Sequence, residues 1–160
     1  MKVNCLKEIE SRPNAELIVL PYLKKGKGLI EPAFDEKKFK SKLKSFFPKE
    51  DFKAECGETL LVYPPKWFEK RVLFIGLGSS SKLTIEKLRQ AYSKITQKAL
   101  QLKIESINVV MPSLKLSAKS TVLGTVEGLI LTNYLFNKLK KTTQSKGPNL
   151  IGTFNLLGCS

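Results

Sequence analysis

A strand–helix–strand pattern between residues 71 and 111 constrains the fold of this chain more than any other feature. Arg71–Ile75 (RVLFI) and Ser106–Met111 (SINVVM) are short apolar runs of the kind that form buried strands. Thr84 is a suitable cap for a helix between them, with Glu86 in its first turn. The apolar stripe of that helix comprises Leu88, Ala91, Tyr92, Ile95, Ala99 and Leu102. Since a crossover of this length joins parallel strands, the sequence predicts an α/β fold.

Three further apolar runs predict strands outside this unit. Ala15–Leu20 (AELIVL) would end at Pro21, because proline cannot donate a ladder hydrogen bond. Thr59–Tyr63 (TLLVY) precedes a pair of prolines, and Leu150–Leu157 (LIGTFNLL) follows a polar, basic stretch that is typical of a linker. We therefore expect the apolar run at 150–157 to begin a new segment, which the given sequence cuts short.

The spacing of apolar residues predicts two more helices. Asp35–Phe47 places phenylalanine or leucine every three or four residues, with Asp35 as the cap and Pro48 as the stop. A longer helix, from about Ser117 to Asn137, would bury Val122, Val126, Leu129, Ile130, Asn133 and Tyr134. Glycine costs up to ~1 kcal/mol inside a helix, so we expect Gly124 and Gly128 to mark close packing against a sheet.

The charge of the chain limits the chemistry it can perform. The 160 residues include no histidine, which excludes imidazole catalysis and histidine-ligated zinc within this chain. Lysine and arginine number 28 against 14 acidic residues, a formal net charge of +14. Most of this excess lies beyond Leu61, and lysine supplies nearly all of it. Because lysine binds polyanions without reading a base sequence, a solvated surface and a polyanion-binding surface are both compatible with the charge.

The densest positive segments indicate where a nucleic acid would bind. The candidate contacts are Lys115, Lys119, Lys138, Lys140, Lys141 and Lys146. Tyr134 and Phe136 lie beside the last four, and aromatic side chains among basic ones can stack on single strands. The same two aromatic residues continue the apolar end of a predicted helix, so packing in the core is the competing interpretation.

The loop after Arg71–Ile75 is the candidate ligand site. Its members are Gly76, Gly78, Ser79, Ser80 and Ser81. A glycine-containing loop between a strand and the start of a helix can cradle a phosphate or another anion. Ser81 stands where the dinucleotide-binding fingerprint has glycine or alanine, and no lysine follows at phosphate-loop spacing. A purely structural turn is therefore the alternative.

The cysteines, the apolar runs and the acidic residues bear on compartment and chemistry. Cys5, Cys56 and Cys159 are far apart in the sequence and have no metal-ligand spacing, so we expect reduced thiols. No run approaches the ~20 apolar residues of a membrane span, and we expect a cytoplasmic chain without a membrane partner. The sequence offers no pairing of a nucleophile with a base. It predicts no catalytic residue, no metal ligand and no bound cofactor in this chain.

Two stretches carry a resemblance to a known family. Arg71–Gly78 (RVLFIGLG), followed by Leu83–Ala91 (LTIEKLRQA), resembles the strand–GLG–helix unit of the leucyl (cytosol) aminopeptidase family. Val126–Lys140 contains the pattern EG-x-x-L-x-x-Y-x-F-x-K-x-K and resembles the helix end that closes the same amino-terminal domain. Together, in this order, the two stretches extend the resemblance over essentially the whole chain.

The resemblance implies a macrodomain-like, three-layer α/β fold, with a mixed central sheet flanked by helices. It implies an amino-terminal domain at residues 1–141, a basic linker at 142–149, and at 150–160 the start of a segment leading to a peptidase domain. In the family, that second domain binds two divalent metal ions (Mn or Zn) and removes N-terminal amino acids from peptides. The family's metal-binding signatures, VGKG-x-x-FDSGG and NTDAEGR, are absent from this sequence, so no catalytic residue is carried over.

The resemblance also implies partners. Family members form hexamers, which implies that this non-catalytic chain serves homo-oligomer assembly or regulation beside its own peptidase domain. Some bacterial members bind DNA, which implies an architectural role as the first alternative. Likeness to macrodomains implies an ADP-ribose-type ligand near Gly76–Ser81 as the second alternative.

Overall fold

The computed structural model describes residues 1–39, 42–140 and 150–159, and this part of the chain forms seven strands and two α-helices. The strands are β1 (Lys2–Leu6), β2 (Leu17–Lys25), β3 (Leu29–Pro32), β4 (Thr59–Val62), β5 (Arg71–Ser79), β6 (Ser106–Val110) and β7 (Thr153–Leu157). The helices are α1 (Ile85–Gln101) and α2 (Ala118–Lys140). The predicted strands and both long helices are confirmed. β1 and β3 were not predicted, since they are short strands that pair on one side only.

The seven strands form one mixed sheet in the order β1-β7-β6-β2-β5-β4, with β3 paired to β2. β1, β7, β6, β2 and β5 are parallel, whereas β4 is antiparallel to β5 and β3 is antiparallel to β2. The predicted unit β5–α1–β6 is present, and β2 lies between its two strands. The mixed α/β sheet that the resemblance implies is therefore confirmed.

β7 is an inner strand of this sheet. It pairs in parallel with β6 on one side and with β1 on the other. Phe154, Leu156 and Leu157 are buried in the core on its two faces. Thr153–Leu157, in the segment predicted to lead to a peptidase domain, thus belongs to this sheet, and the predicted domain bounds stay a prediction. The predicted linker at 142–149 lies outside the described residues.

β2 continues beyond Pro21, where the sequence predicted its end. The strand pairs with β6 through Leu17–Val19 and with β3 from Tyr22 onward. Pro21 lies at this change of partner, so its missing N–H group breaks no ladder hydrogen bond on that side. Its carbonyl oxygen accepts a hydrogen bond from Ala33 N–H at 2.9 Å.

The helix predicted at residues 35–47 is wrong. The chain instead forms two short 3-10 helices, Glu36–Phe39 and Lys42–Ser45, and residues 40 and 41 are outside the described part. Phe47 stacks on Tyr22 with ring centroids 4.8 Å apart. Packing of such aromatic side chains on one face of the sheet outweighs the helix propensity of this segment.

α1 covers the opposite face of the sheet and begins where the sequence predicted. Thr84 Oγ1 accepts a hydrogen bond from Lys87 N–H at 3.2 Å, which caps the helix. Leu102, predicted in the apolar stripe, is half-buried just beyond the helix end. The buried residues of α1 are Leu88, Ala91, Tyr92, Ile95, Thr96, Ala99 and Leu100.

α2 packs on α1, and its buried side differs from the predicted one. Val122 and Tyr134 are exposed, although the sequence predicted them inside. A Cβ at Gly128 would lie 2.5 Å from the Arg89 carbonyl oxygen, so this glycine lets α2 approach the backbone of α1. The predicted close packing is therefore present, but against a helix and not against a sheet. The residues of α2 that are buried are Thr121, Gly124, Thr125, Gly128, Leu129 and Asn133.

Candidate functional site

A cleft of about 300 Å³ lies at the carboxyl ends of β2 and β5. Gly78 and Ser79, two residues of the predicted ligand loop, line it together with Lys24, Lys82 and Lys87. In open α/β sheets, ligands commonly bind at the carboxyl ends of the strands. The fold therefore places part of the predicted loop at a position suited to a ligand.

The glycines of the predicted loop belong to β5, because this strand continues through residue 79. Gly76 N–H donates to the Glu58 carbonyl oxygen at 2.8 Å, and Gly78 N–H donates to the Ala54 carbonyl oxygen at 3.0 Å. A Cβ at Gly76 would come within 2.2 Å of the same preceding segment. The two glycines thus serve close backbone packing, and their N–H groups are already used. The prediction of a loop beginning at Gly76 is wrong.

The polar lining of the cleft consists mainly of side chains. The hydroxyl oxygens of Ser79 and Ser81 lie 3.1 Å apart, at a short 3-10 helix that spans Ser80–Lys82. Lys24 forms an ion pair with Glu55. With Lys82 and Lys87 also present, the balance of charge in the cleft is positive. A small anion is the class of ligand that this charge favours.

Cys56 lines the same cleft but is a poor nucleophile. Burial raises the pKa of its thiol above the ordinary value, and this effect outweighs the opposite influence of Lys87. A thiol with a raised pKa contains little of the reactive thiolate at neutral pH.

The lysines predicted to bind nucleic acid are spread out along α2 and its approach. Lys115, Lys119 and Lys138 are exposed. Lys119 lies in the first turn of α2 and Lys138 in the last, about 28 Å away at ~1.5 Å per residue. They therefore do not form one compact patch. The side chain of Lys140 and all of Lys141 and Lys146 lie outside the described part of the chain.

A row of polar side chains, which the sequence did not predict, crosses one side of the sheet; it is buried in its middle and half-buried at its two ends. Asn4 Nδ2 donates to Asn155 Oδ1 at 2.8 Å, and Asn155 Nδ2 donates to Asn108 Oδ1 at 3.0 Å. Asn108 Nδ2 donates to Glu69 Oε1 at 2.9 Å, and Arg12 forms an ion pair with the same carboxylate. Glu69 is fully buried, so these donors replace the hydrogen bonds that its carboxylate would otherwise make to water.

This polar row keeps the strands in register. Asn4, Asn155 and Asn108 occupy directly paired positions on β1, β7 and β6. A shift by one residue would leave the buried amides without partners. Arg12 extends the row to the surface, where its guanidinium lies 5.0 Å from the centroid of the Phe68 ring. The signal that could have revealed the row is an asparagine in the middle of two apolar strands, SINVV and TFNLL.

Within residues 1–39, 42–140 and 150–159, no group of three or more histidine, cysteine, aspartate or glutamate residues could hold a metal ion. In the same ranges, no helix is long and apolar enough to cross a membrane.

α2 presents an apolar surface that the described part of the chain leaves uncovered. Leu123 is 44% exposed, Leu131 49%, Tyr134 60% and Leu135 55%. We call these four residues the outer face of α2. Because water disfavours contiguous apolar surface, such a face is typical of an interaction site.

Comparisons with known proteins place the chain in a family. The model of the cytosol aminopeptidase family, N-terminal domain, matches residues 19–143. A "Probable cytosol aminopeptidase" of Protochlamydia amoebophila (strain UWE25) is 35% identical over 133 residues, which cover 82% of this chain and 26% of that protein. A protein of the same name from Chlamydia caviae is 29% identical over 161 residues, covering 98% of this chain and 31% of that protein. The chain therefore spans less than a third of the length of these relatives.

Solved structures share the fold at low sequence identity. A leucine aminopeptidase from tomato matches with a TM-score of 0.67 at 17% identity, covering 100% of this chain and 33% of that one. The macrodomain of Thermus aquaticus DarG matches with a TM-score of 0.58 at 10% identity, covering 97% of this chain and 96% of that one. These likenesses confirm the macrodomain-like fold, and the family model matches most of the sequence. The chain belongs to the cytosol aminopeptidase family, in which it corresponds to the amino-terminal domain.

Proposed function

We propose that this chain is the non-catalytic assembly domain of a cytoplasmic metallo-exopeptidase that removes N-terminal amino acids from peptides. Family membership supports the parent activity, and the name of the relatives, cytosol aminopeptidase, supports the compartment. The two divalent metal ions of the parent (Mn or Zn) would be held by the peptidase domain.

The outer face of α2 is the observation that carries the assembly role. Its apolar side chains would gain about 25 cal/mol for each Å² that a partner covers. We assign a second copy of this chain as the partner. Two copies with a net charge of +14 repel each other, and contact is least costly where charge is scarce. Between residues 122 and 135 the only charged residue is Glu127, which is already paired with Arg89.

The assembly role is tested on the complete gene product that contains these 160 residues. Leu131→Asp combined with Leu135→Asp places two charges on the outer face of α2. We expect light scattering to report a homo-oligomer for the unchanged protein and a lower mass for this double variant. Lys94→Asp with Gln97→Asp, at two exposed positions of α1, is the matched control and should keep the full mass. Equal masses for the two double variants would reject the assembly role.

The division of labour is tested by activity and by the reading frame. The 160-residue chain alone should not hydrolyse a leucine anilide when Mn²⁺ or Zn²⁺ is added, because its sequence lacks the two metal-binding signatures of the family. Measurable turnover would overturn the non-catalytic assignment. The gene should encode the two metal-binding signatures of the family downstream of Ser160. A stop codon directly after Ser160 would contradict the proposed parent enzyme.

A further inference from the structure

Two cysteines that are 154 positions apart in the sequence meet at one edge of the sheet. The Sγ atoms of Cys5 and Cys159 are 3.2 Å apart. Cys5 is exposed on β1, and Cys159 is half-buried just after β7. Both are free thiols in the structure, and their wide separation in the sequence did not predict that they meet.

The backbone fixes this approach. β1 and β7 pair in parallel, which sets Cys5 opposite Leu156. Beyond β7 the chain turns at Gly158, whose φ of +79° favours glycine. Gly158 N–H and Cys159 N–H both donate to the Leu6 carbonyl oxygen, at 2.8 and 3.1 Å. These hydrogen bonds to Leu6, the residue next to Cys5, hold Cys159 close to Cys5.

We propose that Cys5 and Cys159 form a reversible disulfide bond that ties the edge strand β1 to the sheet when the thiol–disulfide balance turns oxidising. A bond of ~2.0 Å requires the two sulfur atoms to move about 1.2 Å closer, a displacement within the reach of side-chain rotation. In the described residues β1 has a single strand partner, β7, so a covalent link adds a second restraint to the edge. Disulfides in reducing compartments are typically transient and redox-sensing.

The chemistry requires a small disulfide, such as oxidised glutathione, as the oxidant. The exposed Cys5 thiolate attacks one glutathione sulfur, which forms a mixed disulfide and releases one glutathione thiolate. The Cys159 thiolate then attacks the Cys5 sulfur, which closes the protein disulfide and releases the second glutathione. Two protein thiols are oxidised and one glutathione disulfide is reduced to two thiols. The protons of the two cysteines pass to solvent or to the released glutathione.

The environment of Cys159 assigns the order of these steps. Burial, with a smaller effect of the hydrogen bond to Cys5, raises the pKa of the Cys159 thiol to about 12. Little Cys159 thiolate is present at neutral pH, so Cys5 reacts first and Cys159 closes the bond. The third cysteine, Cys56, lies in the cleft beside Lys87 and provides an internal control.

The bond is tested by equilibrating the 160-residue chain with mixtures of oxidised and reduced glutathione, followed by thiol counting and peptide mapping. We expect the three free thiols of the reduced chain to fall to one, with a mapped Cys5–Cys159 link that dithiothreitol reverses. Cys56→Ser should form the same link, whereas Cys5→Ser and Cys159→Ser should not. An oxidised chain that keeps three thiols, or that links through Cys56, would overturn the proposal.

The restraint on β1 is tested on the unchanged sequence, so it does not depend on how the variants fold. Amide hydrogen exchange in β1 should slow by about tenfold or more in the oxidised chain, because opening of the edge strand is suppressed. The amides of β4, at the other edge of the sheet, are the control and should change little. A mapped disulfide with unchanged exchange in β1 would refute the proposed tie.

Discussion

Helices α1 and α2 pack against each other, but most of the side chains they bury differ in size. α1 buries large apolar residues such as Leu88, Tyr92 and Ile95, whereas α2 buries small or polar residues such as Gly128 and Thr125. Of the larger apolar residues of α2, Leu129 is buried, whereas Leu123, Leu131, Tyr134 and Leu135 lie on the outer face.

The difference follows from the positions of the helices. α1 contacts both β5 and α2, so large side chains of α1 fill the space on two of its sides. α2 touches α1 through Gly124 and Gly128 at close range, which leaves little room for a larger side chain of α2 at these two positions. Apolar residues along an outer helix can therefore indicate an interface, and they need not belong to the core of their own domain.

The largest expected difference between the helices comes from a leucine on each. Leu88→Ala should lower the free energy of unfolding by about 2–5 kcal/mol, because it leaves a cavity at a fully buried position. Leu131→Ala, at a position 49% exposed, should change the free energy by no more than about 0.5 kcal/mol. Urea unfolding of the two variants checks this contrast. Equal losses would mean that α2 buries its leucines after all.

A smaller effect is expected at the glycines of α2. In Gly128→Ala the new Cβ would overlap the Arg89 carbonyl oxygen at 2.5 Å, a backbone atom that cannot move freely. Overlap costs about 1–3 kcal/mol, and the better helix propensity of alanine returns up to about 1 kcal/mol. At Gly124 the nearest atom is Leu88 Cδ2 at 3.0 Å, the flexible end of a side chain. Thermal unfolding should show Gly128→Ala as the less stable of the two alanine variants, and the reverse order would contradict the close helix contact.

The smallest effect is expected at a single hydrogen bond between the helices. Thr96 Oγ1 on α1 donates to the Leu129 carbonyl oxygen on α2 at 2.9 Å. Thr96→Val keeps the shape and removes the donor, so we expect a loss of about 0.5–1.5 kcal/mol in the free energy of unfolding. Ser93→Ala is the control, since Ser93 Oγ donates only within its own helix, to Gln90, in the observed contacts. If Thr96→Val is as stable as this control, the hydrogen bond from Thr96 to Leu129 does not stabilise the fold.

The elements that the sequence predicts well are those whose pattern is set by local rules. The cap at Thr84 depends on a local hydrogen bond and the stripe of α1 on helix periodicity, and the structure reproduces both except for Leu102, which lies beyond the helix end. The 35–47 segment has a similar periodicity but forms 3-10 turns, because contacts such as Phe47 with Tyr22 join residues far apart in the sequence. Local spacing does not encode such contacts.

The site was harder to predict than the fold for the same reason. The GLG sequence is typical of a loop, yet the N–H groups of its two glycines donate hydrogen bonds to carbonyl oxygens of a segment some 20 residues earlier. Asn4, Glu69 and Asn108 form one row only because the sheet order brings β1, β7 and β6 together. The approach of Cys5 to Cys159 likewise depends on the pairing of the first strand with the last. Each of these arrangements is a property of topology.

The most direct test of the account measures whether the outer face of α2 is covered in the complete gene product. Tyr134 on this face is 60% exposed in the chain, and Tyr63, far from α2 in the sequence, is 56% exposed. Hydroxyl-radical labelling followed by mass spectrometry compares the two tyrosines in the isolated 160-residue chain and in the assembled protein. The account predicts that labelling of Tyr134 falls to near background on assembly while labelling of Tyr63 persists. Equal labelling of Tyr134 in both forms would contradict the assignment of α2 as the assembly surface.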